Sequence, residues 1–278
     1  TSNVTSMSTM FYNCTKLVTL NIDNFNTIKV TNIGRMFWWC SSLTNLDVSS
    51  FKTNNVTSME RMFANCSKLT NLDVTNFDTS NVKNMNSMFS SCSKLTNIDL
   101  SKFNTSNVTD MEGMFGFCSG LTSLDVSEFD TSNVKNMYGM FNGCSNLIKL
   151  DLSNFNTSKV TSMGLMFSDC GNLKNLNVSN FNTNSVTSMY RMFINCSSLE
   201  NLDLSSFNTI NVTNMESMFH ACNKLEKLNL AKFDTSSVSN IYGMFNLIPT
   251  TIEIITNTTV KDWILEHFPS YTNIMVVN

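Results

Sequence analysis

Leu69-Thr-Asn-Leu-Asp-Val-Thr-Asn-Phe-Asp-Thr-Ser-Asn-Val-Lys-Asn-Met-Asn-Ser-Met-Phe-Ser-Ser-Cys-Ser-Lys94 decides the fold, because the chain repeats this text with a fixed period. Nine cysteines stand 26 residues apart from Cys14 to Cys222, with no insertion or deletion between them. Ten valines from Val4 to Val238 and ten Met-Phe pairs from Met10-Phe11 to Met244-Phe245 keep the same register. A register this strict means one structural unit copied along an axis, each copy touching only its neighbours. Because the chain opens at Thr1, partway through a unit, it is expected to be a fragment or a processed product, with residues 1 to 16 frayed.

Within the unit, Leu69, Leu72 and Val74 have leucine-rich-repeat strand spacing, with Leu72 and Val74 facing inward. Phe77 closes the core beside the strand, and Asp78 to Asn81 form a polar turn. Val82, Met85, Met88 and Phe89 then predict a short helical or 3-10 return with an apolar underside. The expected fold is an α/β solenoid: a right-handed leucine-rich repeat coil with a parallel β-sheet along one face and a C-terminal strand-helix-strand cap. Two segments are expected, a solenoid over 1–246 and a cap over 247–278. In the cap, Ile252 and Ile254 arrive two residues early for the leucine pattern. Thr259 with Asp262 reads as a capping box, Pro269 as the helix stop, and 274–277 as a last strand.

Composition narrows the function. The chain has 278 residues, 18 Lys and Arg against 21 Asp and Glu, and a net charge of -3 without any basic block, which argues against nucleic acid as a partner. No apolar run is long enough to span a bilayer, so any membrane association requires an anchor outside this sequence. Stacked cysteines point their Cβ atoms the same way, which favours buried free thiols over disulfides. No metal set is expected, since His220 and His267 form no second column, and no cofactor motif or catalytic constellation emerges.

Three features are candidates for recognition. An unbroken threonine column (Thr27 to Thr235) either bonds along the stack or presents a hydroxyl lattice. An acidic column containing Asp73, Asp99, Asp125 and Asp151 is either hydrogen-bonded or a weak cation or ligand face. Like charges about 5 Å apart should raise some of its pKa values. The same sheet face presents Asn71 and Asn97. Finally, Trp38, Trp39, Tyr138 and Tyr190 interrupt a polar background, and exposed aromatics favour partner contact. Trp38 and Trp39 contact either a partner or sequence upstream of Thr1.

The text L-D-V/L-S-x-F-D/N-T-S-N-V-T-N-M-x-x-M-F-x-x-C-S-x-L, as in Leu121 to Leu147, resembles the BspA-type leucine-rich repeat surface proteins, in the 26-residue form of low-GC bacteria and some protists. The resemblance implies a non-enzymatic cell-surface or secreted adhesion module for an extracellular protein or glycan, on a parent with an export signal and an anchor. The oligomeric state is open. A passive spacer or scaffold on the cell surface is the alternative, and it would tolerate change at every surface position.

Overall fold

The structure is a computed structural model describing residues 1–277. Its units form a repeat solenoid of leucine-rich-repeat type, and their bonding runs along the stack. In the Met-Phe returns the backbone N–H of each unit donates to the next: Phe37 to Met62 O at 3.0 Å, Phe63 to Met88 O at 2.9 Å, Phe89 to Met114 O at 3.0 Å. Beneath these returns the phenyl rings form a column. From Phe11 and Phe37 through to Phe245, successive centroids lie 5.6–6.0 Å apart with planes within 13°. The methionine, valine and leucine columns fill the rest of a single continuous core.

Two polar columns are buried with it. The threonines from Thr27 to Thr209 bridge consecutive units: the Thr131 hydroxyl donates to Asn156 O at 3.0 Å and accepts from Asn156 N–H at 2.8 Å, and Thr79 does the same with Asn104. Both hydroxyl functions are thereby satisfied inside the stack, and the column, with Thr79 and Thr183 fully buried, presents no hydroxyl lattice to solvent. The cysteines are free, and each thiol from Cys40 to Cys222 donates to the carbonyl of a phenylalanine 29 residues earlier at 3.0–3.3 Å.

The return segments are not helical. Each is a pair of consecutive turns, in six units opened by an Asx turn, such as Asn84 Oδ1 accepting from Asn86 N–H at 2.8 Å. In each, two left-handed residues stand four apart, Arg35 and Trp39 at φ 60° and 66°, Leu165 and Asp169 both at 58°. A left-handed residue every fourth position interrupts any right-handed helix.

The parallel sheet expected along one face is present over part of its length. Among the described residues paired parallel strands occur only toward the carboxyl end: β1 (Asn201–Asp203), β2 (Lys227–Leu230), β3 (Glu253–Thr256) and β4 (Ile274–Val276), in that order. Elsewhere the leucine segments keep their in–out alternation but approach loosely, with Thr70 N to Thr44 O at 3.5 Å against 2.8 Å for Glu226 N to Glu200 O. The units are tightest at the returns and open toward the leucine face. Leu150 and Leu176 accordingly keep 7% and 8% exposure, whereas Leu228, between paired strands, has none.

At the carboxyl end Ile254 pairs with Leu228 and Thr256 with Leu230, so the leucine register continues through β3 and is not broken at Ile252. Helix α1 (Thr258–His267) is capped by Asn257, which accepts from Val260 N–H, and not by a Thr259–Asp262 box. Asn257 Nδ2 also bonds Ala231 O and Phe233 O, which ties the cap to the last full unit. The ring column ends in a change of orientation: Phe268 meets Phe245 edge-on at 4.8 Å, and the Tyr271 hydroxyl donates to Phe245 O at 2.7 Å. Residues 1 to 16 are not frayed. Met7 N–H donates to Asn32 O at 2.9 Å and Phe11 stacks on Phe37, which docks this segment on the following unit.

Replacing Phe141 by Ala removes one ring from the middle of the column and should cost about 3–5 kcal/mol, measured by chemical denaturation. Burial raises the thiol pKa of Cys40 to about 11 and of Cys118, Cys170 and Cys222 to about 12. In the folded protein a thiol reagent should therefore label Cys14, the one half-exposed cysteine, well ahead of the eight buried ones, and all nine after denaturation.

Candidate functional site

Two surfaces carry the candidate residues. On the leucine face Asn71, Asp73, Asn97, Asp99, Asp125 and Asp151 are all exposed. Their aspartates are occupied locally. Asp73 Oδ1 accepts from Thr75 N–H at 2.9 Å and from the Thr75 hydroxyl at 2.6 Å. Asp99, Asp125 and Asp151 accept from the N–H of Ser101, Ser127 and Ser153 at 2.9–3.0 Å.

These bonds overturn the expectation of raised pKa values. The hydroxyl two residues on, followed by its backbone N–H, lowers the carboxyl pKa of Asp47, Asp73 and Asp99. For Asp125 and Asp151 the N–H contributes most. Repulsion between neighbouring aspartates acts upward on Asp73 and Asp125, but more weakly than the local bonds. Among the described residues no three His, Cys, Asp or Glu side chains are grouped to hold a metal ion. The fanned leucine face does contain a shallow cavity of about 530 Å3 between Lys149, Asp151, Asn175, Asn201 and Asp203, floored by Leu150 and Leu176.

The second surface is the ridge formed by the returns. The Met-Phe side chains point inward, so the residues around them project outward, and here the units differ. Trp38 is half-buried: the Tyr12 ring lies 4.8 Å away, and the guanidinium groups of Arg35 and Arg61 lie 5.8 Å and 5.5 Å from its ring centre. It therefore packs on this chain's own neighbouring units. Trp39 and Tyr12 remain 43% and 46% exposed. Arg35 and Arg61 both reach the same oxygen, Glu60 Oε1, at 2.6 Å.

Five units further on a related group forms, with Arg191 4.8 Å over the half-buried Tyr190 and 3.3 Å from Glu216 Oε1. Tyr138 lies against Gly164, where a β-carbon would meet its ring at 2.9 Å, and Phe117 lies against Gly143. Phe117 and Tyr242 are exposed by 53% and 77%. The ridge thus brings Trp38 together with arginines that sequence reasoning passed over. A signal existed: the chain's only three arginines, Arg35, Arg61 and Arg191, all occupy one repeat position. No helix among the described residues is long and apolar enough to cross a membrane.

The sequence matches the family described as "Mycoplasma protein of unknown function, DUF285" over residues 1–97, 68–175 and 143–263, and the chain belongs to it. No curated protein matches it. Among solved structures, a leucine-rich repeat protein from Bacteroides ovatus is similar at 17% identity and a TM-score of 0.50, over 98% of this chain and 69% of that one. A leucine-rich repeat protein of T. pallidum is similar at 20% identity and a TM-score of 0.31, over 51% of this chain and 70% of that one. The first likeness supports the leucine-rich-repeat fold.

Groups whose folded pKa lies below the unfolded value stabilise the fold above the unfolded pKa and lose that effect as pH falls through the folded one. Melting temperature should therefore hold from neutral pH down to about 5 and drop below about 4. Changing Asp73, Asp99 and Asp125 together to Asn should flatten that drop. Asn177 already accepts the same Ser179 N–H bond at 3.0 Å, so the unit tolerates the exchange.

Proposed function

We propose that this DUF285-family chain is a non-enzymatic recognition module of a cell-surface or secreted adhesin built from the BspA-type 26-residue repeat. Its solenoid is taken to span 1–246, with 247–278 as a cap, and its partner is an extracellular protein or glycan. The observation that carries this reading is the placement of variation. The buried columns are almost invariant from unit to unit, while Trp39, Tyr12, Phe117 and Tyr242 expose large rings on one ridge. Isolated exposed apolar residues are ordinary, but aromatics concentrated in the returns of a repeat contribute contact area at low entropy cost.

Within that reading the ridge is the preferred contact surface over the leucine face, because the leucine-face aspartates are engaged by their own turns. The same engagement favours the second reading, a spacer, for the leucine face taken alone. On the spacer reading the polar columns serve only to stack units, and function depends on their number.

The test is binding of the intact chain to extracellular-matrix proteins and to a glycan panel, beside a Trp38→Ala, Trp39→Ala variant and an Asn71→Ala, Asn97→Ala variant. The ridge substitutions should weaken a saturable interaction at least about tenfold while the leucine-face pair leaves it unchanged. Loss through the leucine-face pair alone would move the contact surface there. Silence across both panels with a folded protein would favour the spacer.

A further inference from the structure

We propose that the ridge formed by the first three returns is a binding site for a carboxylate-bearing saccharide, held by Arg35 and Arg61 and stacked on Tyr12 and Trp39. The inference rests on the recognition reading and gives it a ligand class. Charge comes first. Residues 6–13, 32–39 and 58–65, which form these returns, contain three charged side chains, Arg35, Glu60 and Arg61, and so carry one net positive charge on a chain of net charge -3.

Glu60 cannot satisfy both arginines. They converge on its single oxygen Oε1, which sets one carboxylate between two guanidiniums. Arg35 and Arg61 side chains are nonetheless 40% and 32% exposed. A guanidinium presents its donors in a planar fork that fits a carboxylate, so unspent donors at an accessible site favour an anionic partner. The Arg191 group is an internal contrast, since there one arginine faces one carboxylate, Glu216, and no charge is left over.

The surrounding groups select a sugar over a peptide. An extended peptide is recognised largely through main-chain hydrogen bonds, and alternate N–H groups along these returns are already given to the next unit: Thr9 to Gly34 O, Phe11 to Met36 O, Asn13 to Trp38 O, Arg35 to Glu60 O, Trp39 to Ala64 O. What remains open is ring surface and guanidinium edge. The Tyr12 and Trp39 rings offer apolar surface on a ridge, suited to the apolar face of a pyranose, while the arginine fork takes its carboxylate.

The repeat supplies substitutions that the backbone already accepts. Arg61 and Ser87 occupy equivalent positions with φ of 51° and 53°, Asn65 is the counterpart of Trp39, and Asn86 is the counterpart of Glu60. The test is calorimetry of the full chain with hyaluronan hexasaccharide and sialyllactose as carboxylated probes, lactose as the uncharged one, a sulfated, carboxylate-free galactan oligosaccharide, and an oligoglutamate peptide. A carboxylated sugar should bind, lactose should not, and affinity should fall with added salt.

Arg61→Ser and Trp39→Asn should each weaken binding about tenfold, the scale of a lost charge-assisted bond or ring contact. Glu60→Asn should strengthen it severalfold, because it frees both guanidiniums; a purely structural cluster would give the opposite sign. Binding of the sulfated oligosaccharide or the peptide alone, or indifference to Arg61→Ser in a folded variant, would overturn the proposal. If the chain binds a matrix protein and no acidic sugar, the saccharide inference falls while the recognition reading stands; if it binds nothing, both fall.

Discussion

The hydrogen bonds that pass from one return to the next are the constraint on which everything else depends. They fix each unit at the level of its Met-Phe pair and place the phenyl rings in a near-parallel column. Threonine hydroxyls and cysteine thiols then fill the polar requirements of the interior, each reaching into an adjacent unit. The result differs in emphasis from a repeat organised by its strands, because here the ordered ladder belongs to the returns and the leucine face is the looser side.

The solenoid and its inward-facing residues were legible in the sequence because a period of 26 leaves few alternatives. Leu72, Val74, Phe77, Met88 and Phe89 are buried as their spacing implies. The helical reading of the returns failed for a local reason. Apolar residues at spacings of three fit a helix and a pair of successive turns equally well, and the left-handed residue between them is Arg, Ser, Thr or Leu in most units, which do not advertise positive φ as the glycines at Gly113, Gly139 and Gly243 do. The extent of the sheet was hidden for a non-local reason, since strand pairing depends on how closely the leucine segments of neighbouring units approach, a quantity no single unit contains.

The candidate site was half legible. Trp38 and Trp39 stood out because bulky aromatics replace small polar residues, but the sequence did not show that Trp38 is enclosed by Tyr12, Arg35 and Arg61 while Trp39 stays open. Tyr12 and Arg61 lie about one period away and become neighbours of Trp38 only when the returns are stacked. The aspartate column misled in the other direction. Its regular charge suggested mutual repulsion, and the serine or threonine two residues on, which lowers the carboxyl pKa through its own hydroxyl and N–H, was visible in the text all along.

The cross-unit bonds described above also share one property of length. Thr131 reaches Asn156 and Cys144 reaches Phe115, at separations of 25 and 29 residues, and the Met-Phe returns bond at a similar distance. A contact map of this kind stays in a narrow band near the diagonal however many units are added, so relative contact order falls as the array grows. Loop closure then costs the same at every step, assembly can start at any pair of neighbours and spread outward, and a nascent chain can fold unit by unit as it emerges.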